Sequence, residues 1–219
     1  MPVGGQDVIR DSLDLLERQL DARGVDQAHL VGNSLGGWAA LELAARGRAL
    51  SVVAICPGGG WEIGSKEERA VVRYFRATER RMRATLPMLP RIARVRMLRR
   101  IAFRDLMARP GNVGGQDAMG FFTGAAQCTV FEVALAQAEA GRAFGDLGPI
   151  GCPVRVLYGT KDRIIRWPSH YGRMKRLLPD ADFVALHGLG HIPMWDDADL
   201  VVRRILEVSA PEAVANATP

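Results

Sequence analysis

The residues best suited to chemistry are Gly32-Asn33-Ser34-Leu35-Gly36, a G-x-S-x-G pattern extended by Gly37. A serine hydroxyl is a weak nucleophile until a neighbouring base removes its proton. The pattern lies between an apolar strand candidate at 28–32 (AHLVG) and a helical stretch at 35–46 (LGGWAALELAAR). The serine is therefore expected on a sharp strand-to-helix turn, with its hydroxyl clear of the sheet. Gly32 and Gly36 lack the Cβ atoms that would collide in so tight a turn. The backbone N–H of Leu35, at the helix start, can point at the oxyanion of a tetrahedral intermediate. The alternative use of these residues is a glycine-rich turn whose serine only caps the helix.

A base and an acid must complete the nucleophile. Of the four histidines, His29 lies inside the strand before the turn and is expected to point into packing. His170 falls in a helical stretch and is expected to be exposed, and His187 ends the last strand candidate. His191 lies in Gly188-Leu189-Gly190-His191-Ile192-Pro193, a glycine loop beyond that strand. Sites of open α/β sheets form outside the carboxyl ends of the strands, so His191 is the base candidate. Asp162, in Tyr158-Gly159-Thr160-Lys161-Asp162, also follows a strand end. Its carboxylate would hold the imidazole tautomer and stabilise the imidazolium. Asp196, Asp197 and Asp199 open the final helix instead, where they suit its N-terminal dipole. The order Ser34, Asp162, His191, each after a different strand, is the order expected for a parallel α/β sheet that carries its serine on such a turn.

These residues need a scaffold, and the pattern supplies one. Helix is predicted at 6–23, strand at 28–32, helix at 35–46 and strand at 50–56 (LSVVAIC), apolar throughout as a strand buried on both faces should be. Strand returns at 154–158 (VRVLY) and 182–186, with helices near 168–178 and 197–208. This alternation predicts an α/β fold with a parallel sheet flanked by helices. Residues 61–148 interrupt it with helical periodicity, including a helix over 116–141. The organisation read is core at 1–60, helical cap or lid at 61–148, core again at 149–209, and a flexible tail at 210–219. Within the cap, Met82, Met88, Met97, Met107, Phe121 and Phe122 either line an adaptable apolar pocket or pack the helices together.

The chain has 219 residues, a net charge of +5, and 48% apolar against 24% charged residues, a globular composition. Arg69 to Arg109 spans 13 arginines against two acids, Glu79 and Asp105. Arg69, Arg73, Arg76, Arg80 and Arg83 recur at helical spacing, without interleaved aromatics to stack on bases. They read as a solvated helix face, and no nucleic-acid partner is expected. No apolar run is long enough to span a bilayer. Cys56, Cys128 and Cys152 are odd in number and widely spaced, so neither a metal site nor a disulfide framework is expected. With no signal-peptide core at the start, a cytoplasmic location is the expectation.

Together HLVGNSLGG, LYGTKD and GLGHIPMWDD, with a helical block between the strands ending at Cys56 and starting at Val154, resemble the α/β-hydrolase family, particularly its cap-bearing esterases. The resemblance runs from Gln6 to about Val208. It implies hydrolysis of a small or medium apolar carboxylic ester or similar acyl compound, without metal or organic cofactor. Enzymes cleaving carbon–carbon bonds are a further possibility within the same family. Dehalogenases resemble the pattern with Asp where Ser34 stands. The family usually carries several strands and a His-Gly loop, the second oxyanion donor, before the nucleophile strand. The 33 residues before Ser34 are taken up by one helix and one strand, so an N-terminally shortened fold is expected. Such a chain would be either active or an inactive homologue serving as an interaction module.

Overall fold

The computed structural model describes residues 7–128, 131–141 and 143–210. Helix α1 (Val8–Asp21) starts where Asp7 accepts a hydrogen bond from the Arg10 N–H, and it buries Leu13. Strand β1 (Ala28–Asn33) turns into α2 (Leu35–Ala45), followed by β2 (Ala49–Ile55). Strands β3 (Val154–Gly159) and β4 (Asp182–Leu186) come after a long helical interval. All pairings are parallel and the sheet order is β1-β2-β3-β4.

The alternation along β2 and β3 sorts their side chains onto two faces. Val52, Ala54, Val156 and Tyr158 pack with Trp38 and Leu41 of α2 and with Met174 of α8 (Gly172–Leu177). Val53, Ile55 and Leu157 pack on the opposite face with Leu186, Leu189 and Val201, the last from α9 (Ala198–Ser209). Each fully buried side chain of this size contributes about 1.5–3 kcal/mol, so the two faces fix which way each strand end points. Asp197 caps α9 by accepting from the Leu200 N–H, and Asp199 sits in its first turn, as the sequence predicts. Among the described residues β1 pairs only with β2, and its Val31 is half exposed, so the sheet has the expected open edge.

The interval between β2 and β3 is helical: α3 (Lys66–Thr85), α4 (Leu89–Arg94), α5 (Arg96–Phe103), α6 (Gly115–Gln127) and α7 (Phe131–Glu139). The single helix expected over 116–141 is thus two helices. The helix expected at 168–178 is only Gly172–Leu177, with turns before it. The insertion has its own apolar cluster of Leu89, Ala93, Phe103, Met107, Val113, Ala118 and Phe122. Met107 and Phe122 are consumed in that packing, whereas Met88, Met97 and Phe121 face solvent. The α3 arginines are not a purely solvated face. Arg76 pairs with Glu139 at 2.9 Å and Arg83 with Glu132 at 2.5 Å, both on α7. Glu79, buried on α3, lies 2.8 Å from Arg83. No single helix among the described residues is long and apolar enough to cross a membrane.

Candidate active site

Ser34 occupies the turn from β1 to α2 with φ 57° and ψ −117°, a left-handed backbone rarely held by a residue with a side chain. Its N–H donates to the Ile55 carbonyl, and its carbonyl accepts from Gly37, Trp38 and Gly58. Strain of this kind persists only where the surroundings over-determine it. Gly32 is indispensable here, since a Cβ would lie 2.0 Å from the Gly36 carbonyl oxygen. Gly36 is not, because a Cβ there meets nothing within 4 Å, contrary to the expectation that both glycines relieve collisions. Gly37 fills the second tight place, with a Cβ position 3.0 Å from the Gly32 carbonyl oxygen and 3.1 Å from Pro57. Leu35 is the first residue of α2, where backbone N–H groups lack intrahelical acceptors.

Asp162 and His191 come together at the ends of β3 and β4. Both are buried, and Asp162 Oδ2 lies 2.7 Å from His191 Nδ1. The other Asp162 oxygen accepts the N–H groups of Ile164 and Ile165 at 2.8 and 2.9 Å, fixing the carboxylate in a turn. The loop carrying His191 crosses β3 at Gly159, where a Cβ would lie 2.2 Å from the Gly190 carbonyl oxygen. The Asn33 carboxamide donates to the His191 carbonyl at 2.9 Å and to the Ile55 carbonyl at 3.1 Å. The residue before Ser34 is therefore bonded to the His191 backbone. Among the described residues no direct hydrogen bond joins the Ser34 hydroxyl to His191, and such contacts often tighten only around substrate.

Cys56, at the end of β2 with φ 44°, brings its sulfur within 4.8 Å of the facing Asp162 and His191 atoms. Cysteine, aspartate and histidine are metal-ligand types. Burial, reinforced by the Asp162 charge, pushes the Cys56 thiol well up.

Three further sequence expectations fail around this site. His29 is exposed, with Nδ1 2.8 Å from the Ser51 hydroxyl, because β1 lies at an edge. His170 is buried, packed edge-on to Trp61, with Nδ1 2.9 Å from the Arg166 carbonyl. Burial holds its pKa below the ordinary value. Asp196 does not serve the α9 dipole. It is buried and accepts backbone N–H groups from Gly190, Ala108 and Arg109. Arg173 is a further buried group whose role the sequence does not signal. Its guanidinium donates to the carbonyls of Gly59, Phe144 and Gly145, holding the loop that follows β2.

The model of the alpha/beta hydrolase family matches residues 4–204. The chain belongs to this family. It is 34% identical over 185 residues to "Epoxide hydrolase EphH" of Mycobacterium tuberculosis, covering 84% of this chain and 86% of that protein. Its fold resembles that of a meta-cleavage product hydrolase from Pseudomonas fluorescens IP01, with TM-score 0.65 and 18% identity over 97% of this chain and 75% of that one. It likewise resembles a putative lipase from Acinetobacter baumannii AYE, with TM-score 0.64 and 18% identity over 100% and 72%. A membrane phospholipase A described as a bacterial virulence factor gives TM-score 0.64 and 20% identity, and the chain spans 64% of its length. As an alpha/beta hydrolase, the chain is a hydrolytic enzyme by family.

Proposed function

We propose that this hydrolase cleaves a carboxylic ester or related acyl compound through an acyl-enzyme on Ser34. The observation that carries this reading is the buried 2.7 Å contact between Asp162 and His191, on a loop bonded to the residue beside a strained serine. His191 accepts the Ser34 proton at Nε2 while Asp162 fixes Nδ1 as the protonated nitrogen. The serine oxygen attacks the carbonyl carbon, and the oxyanion forms against the Leu35 N–H. The imidazolium then gives its proton to the leaving alcohol. Water, deprotonated by the same imidazole, releases the acid and regenerates Ser34. The helices between β2 and β3 act as the cap that shapes the substrate space. No step calls for a metal or organic cofactor.

The 34% identity to an epoxide hydrolase supports a second reading. Chemistry at position 34 separates the two. A serine oxygen opening an epoxide forms an alkyl ether, which the same imidazole and water cannot hydrolyse. An epoxide would have to be opened by water directly, with Ser34 dispensable. Carbon–carbon hydrolysis remains compatible with the serine mechanism. The test pairs short-chain p-nitrophenyl esters with styrene oxide, each against wild type and Ser34→Ala. Ester turnover that disappears in the variant supports the proposal. Diol formation that survives Ser34→Ala, without ester turnover, overturns it in favour of the epoxide reading.

A further inference from the structure

Burying a carboxylate costs several kcal/mol unless its oxygens are hydrogen-bonded, so an acid held this way is informative about what it holds. Asp196 is buried, and among the described residues its carboxylate oxygens accept backbone N–H groups from two segments, one six residues before it and one in the insertion. Oδ2 accepts from Gly190 at 2.7 Å and from Ala108 at 3.0 Å, and Oδ1 accepts from Arg109 at 2.6 Å. The Arg109 guanidinium returns a bond to the Asp196 carbonyl at 3.0 Å, and the Asn112 carboxamide donates to the Trp195 carbonyl at 2.9 Å. Gly190 precedes His191 directly, whereas Ala108 and Arg109 belong to the helical insertion.

The same two segments touch on both sides of this carboxylate. The Ile192 N–H donates to the Leu106 carbonyl at 2.9 Å. A Cβ on Gly190 would lie 2.8 Å from the Met107 Cα and the Ala108 nitrogen, so the loop rests flat on the insertion backbone. We propose that Asp196 is a positioning residue: by tying Gly190 to Ala108 and Arg109, it couples the register of the His191 imidazole to the seating of the insertion. This rests on the reading of His191 as the base. Movement of the insertion around a substrate then reaches the base through this carboxylate, alongside the Ile192–Leu106 backbone bond.

The decisive variant is Asp196→Asn, which keeps the volume but removes the charge and turns one acceptor into a donor facing N–H groups. On a p-nitrophenyl ester, with circular dichroism verifying the fold, kcat falls at least tenfold while KM stays within about threefold. A folded variant with unchanged kcat overturns the proposal. Should the variant fail to fold, amide hydrogen exchange of the wild type decides. Gly190, Ala108 and Arg109 exchange through one shared slow opening, and independent exchange of Gly190 overturns the tie. Wild-type protein that turns over no ester removes the base reading itself, and amide exchange then still reports whether the tie exists.

Discussion

The Asn33 carboxamide donates to the His191 carbonyl at 2.9 Å across 158 positions of sequence. It stitches the turn that presents Ser34 to the loop that presents His191, one residue away from the first functional side chain and on the backbone of the second. Neither element could drift without breaking a part-buried hydrogen bond, worth about 0.5–1.5 kcal/mol net. Asp162 then fixes the ring from below, so the imidazole is constrained through both its backbone and its side chain.

The glycines of the turn differ sharply in what they tolerate. Gly32→Ala places a methyl group 2.0 Å from a backbone oxygen and is expected to yield insoluble or unfolded protein. Gly36→Ala meets open space on α2 and is expected to fold with equal or slightly higher melting temperature, since alanine is the better helix former. Thermal melts of the two variants check this contrast. A stable Gly32→Ala protein would show that the turn is looser than described.

Asp162→Asn keeps the shape of the buried acid but cannot stabilise the imidazolium, and its amide favours the wrong ring tautomer. The expected outcome is a fall in kcat on the order of 10³–10⁴, with KM little changed, measured on the same chromogenic ester. Retention of most activity would remove Asp162 from the mechanism.

The main architecture is legible in the residues because it depends on local pattern. The run LSVVAIC needs no partner to announce a strand buried on both faces, and Ser34, Asp162 and His191 announce themselves by following strand ends. Asp196 is not legible, because an aspartate two residues ahead of a helix reads as a cap. Its partners Ala108 and Arg109 lie 88 and 87 positions away, in an insertion whose path no periodicity specifies. His170 is misread for the same reason, since the ring that covers it belongs to Trp61. His29 fails differently: its strand is correct, but apolar neighbours in sequence say nothing about whether the strand stands at an edge.

Burial lowers the pKa of His170 below its ordinary value of 6.5. The unfolded chain therefore binds a proton that the folded one resists, and stability rises with pH across that window. The contribution is complete above about 6.5 and is lost as pH falls from there through the lowered folded value. His170→Asn, whose amide can replace the Nδ1 contacts without titrating, is expected to flatten this part of the melting-temperature profile. Parallel profiles for variant and wild type below pH 6.5 would contradict the assignment.

The central claim is that Ser34 is a nucleophile activated by His191. Covalent labelling with a fluorophosphonate, read by intact mass and peptide mapping, tests it without knowledge of the substrate. The account predicts a single adduct on Ser34 in the wild type, absent in Ser34→Ala and formed far more slowly in His191→Ala. An unlabelled Ser34, or labelling that proceeds at the same rate without His191, would contradict it.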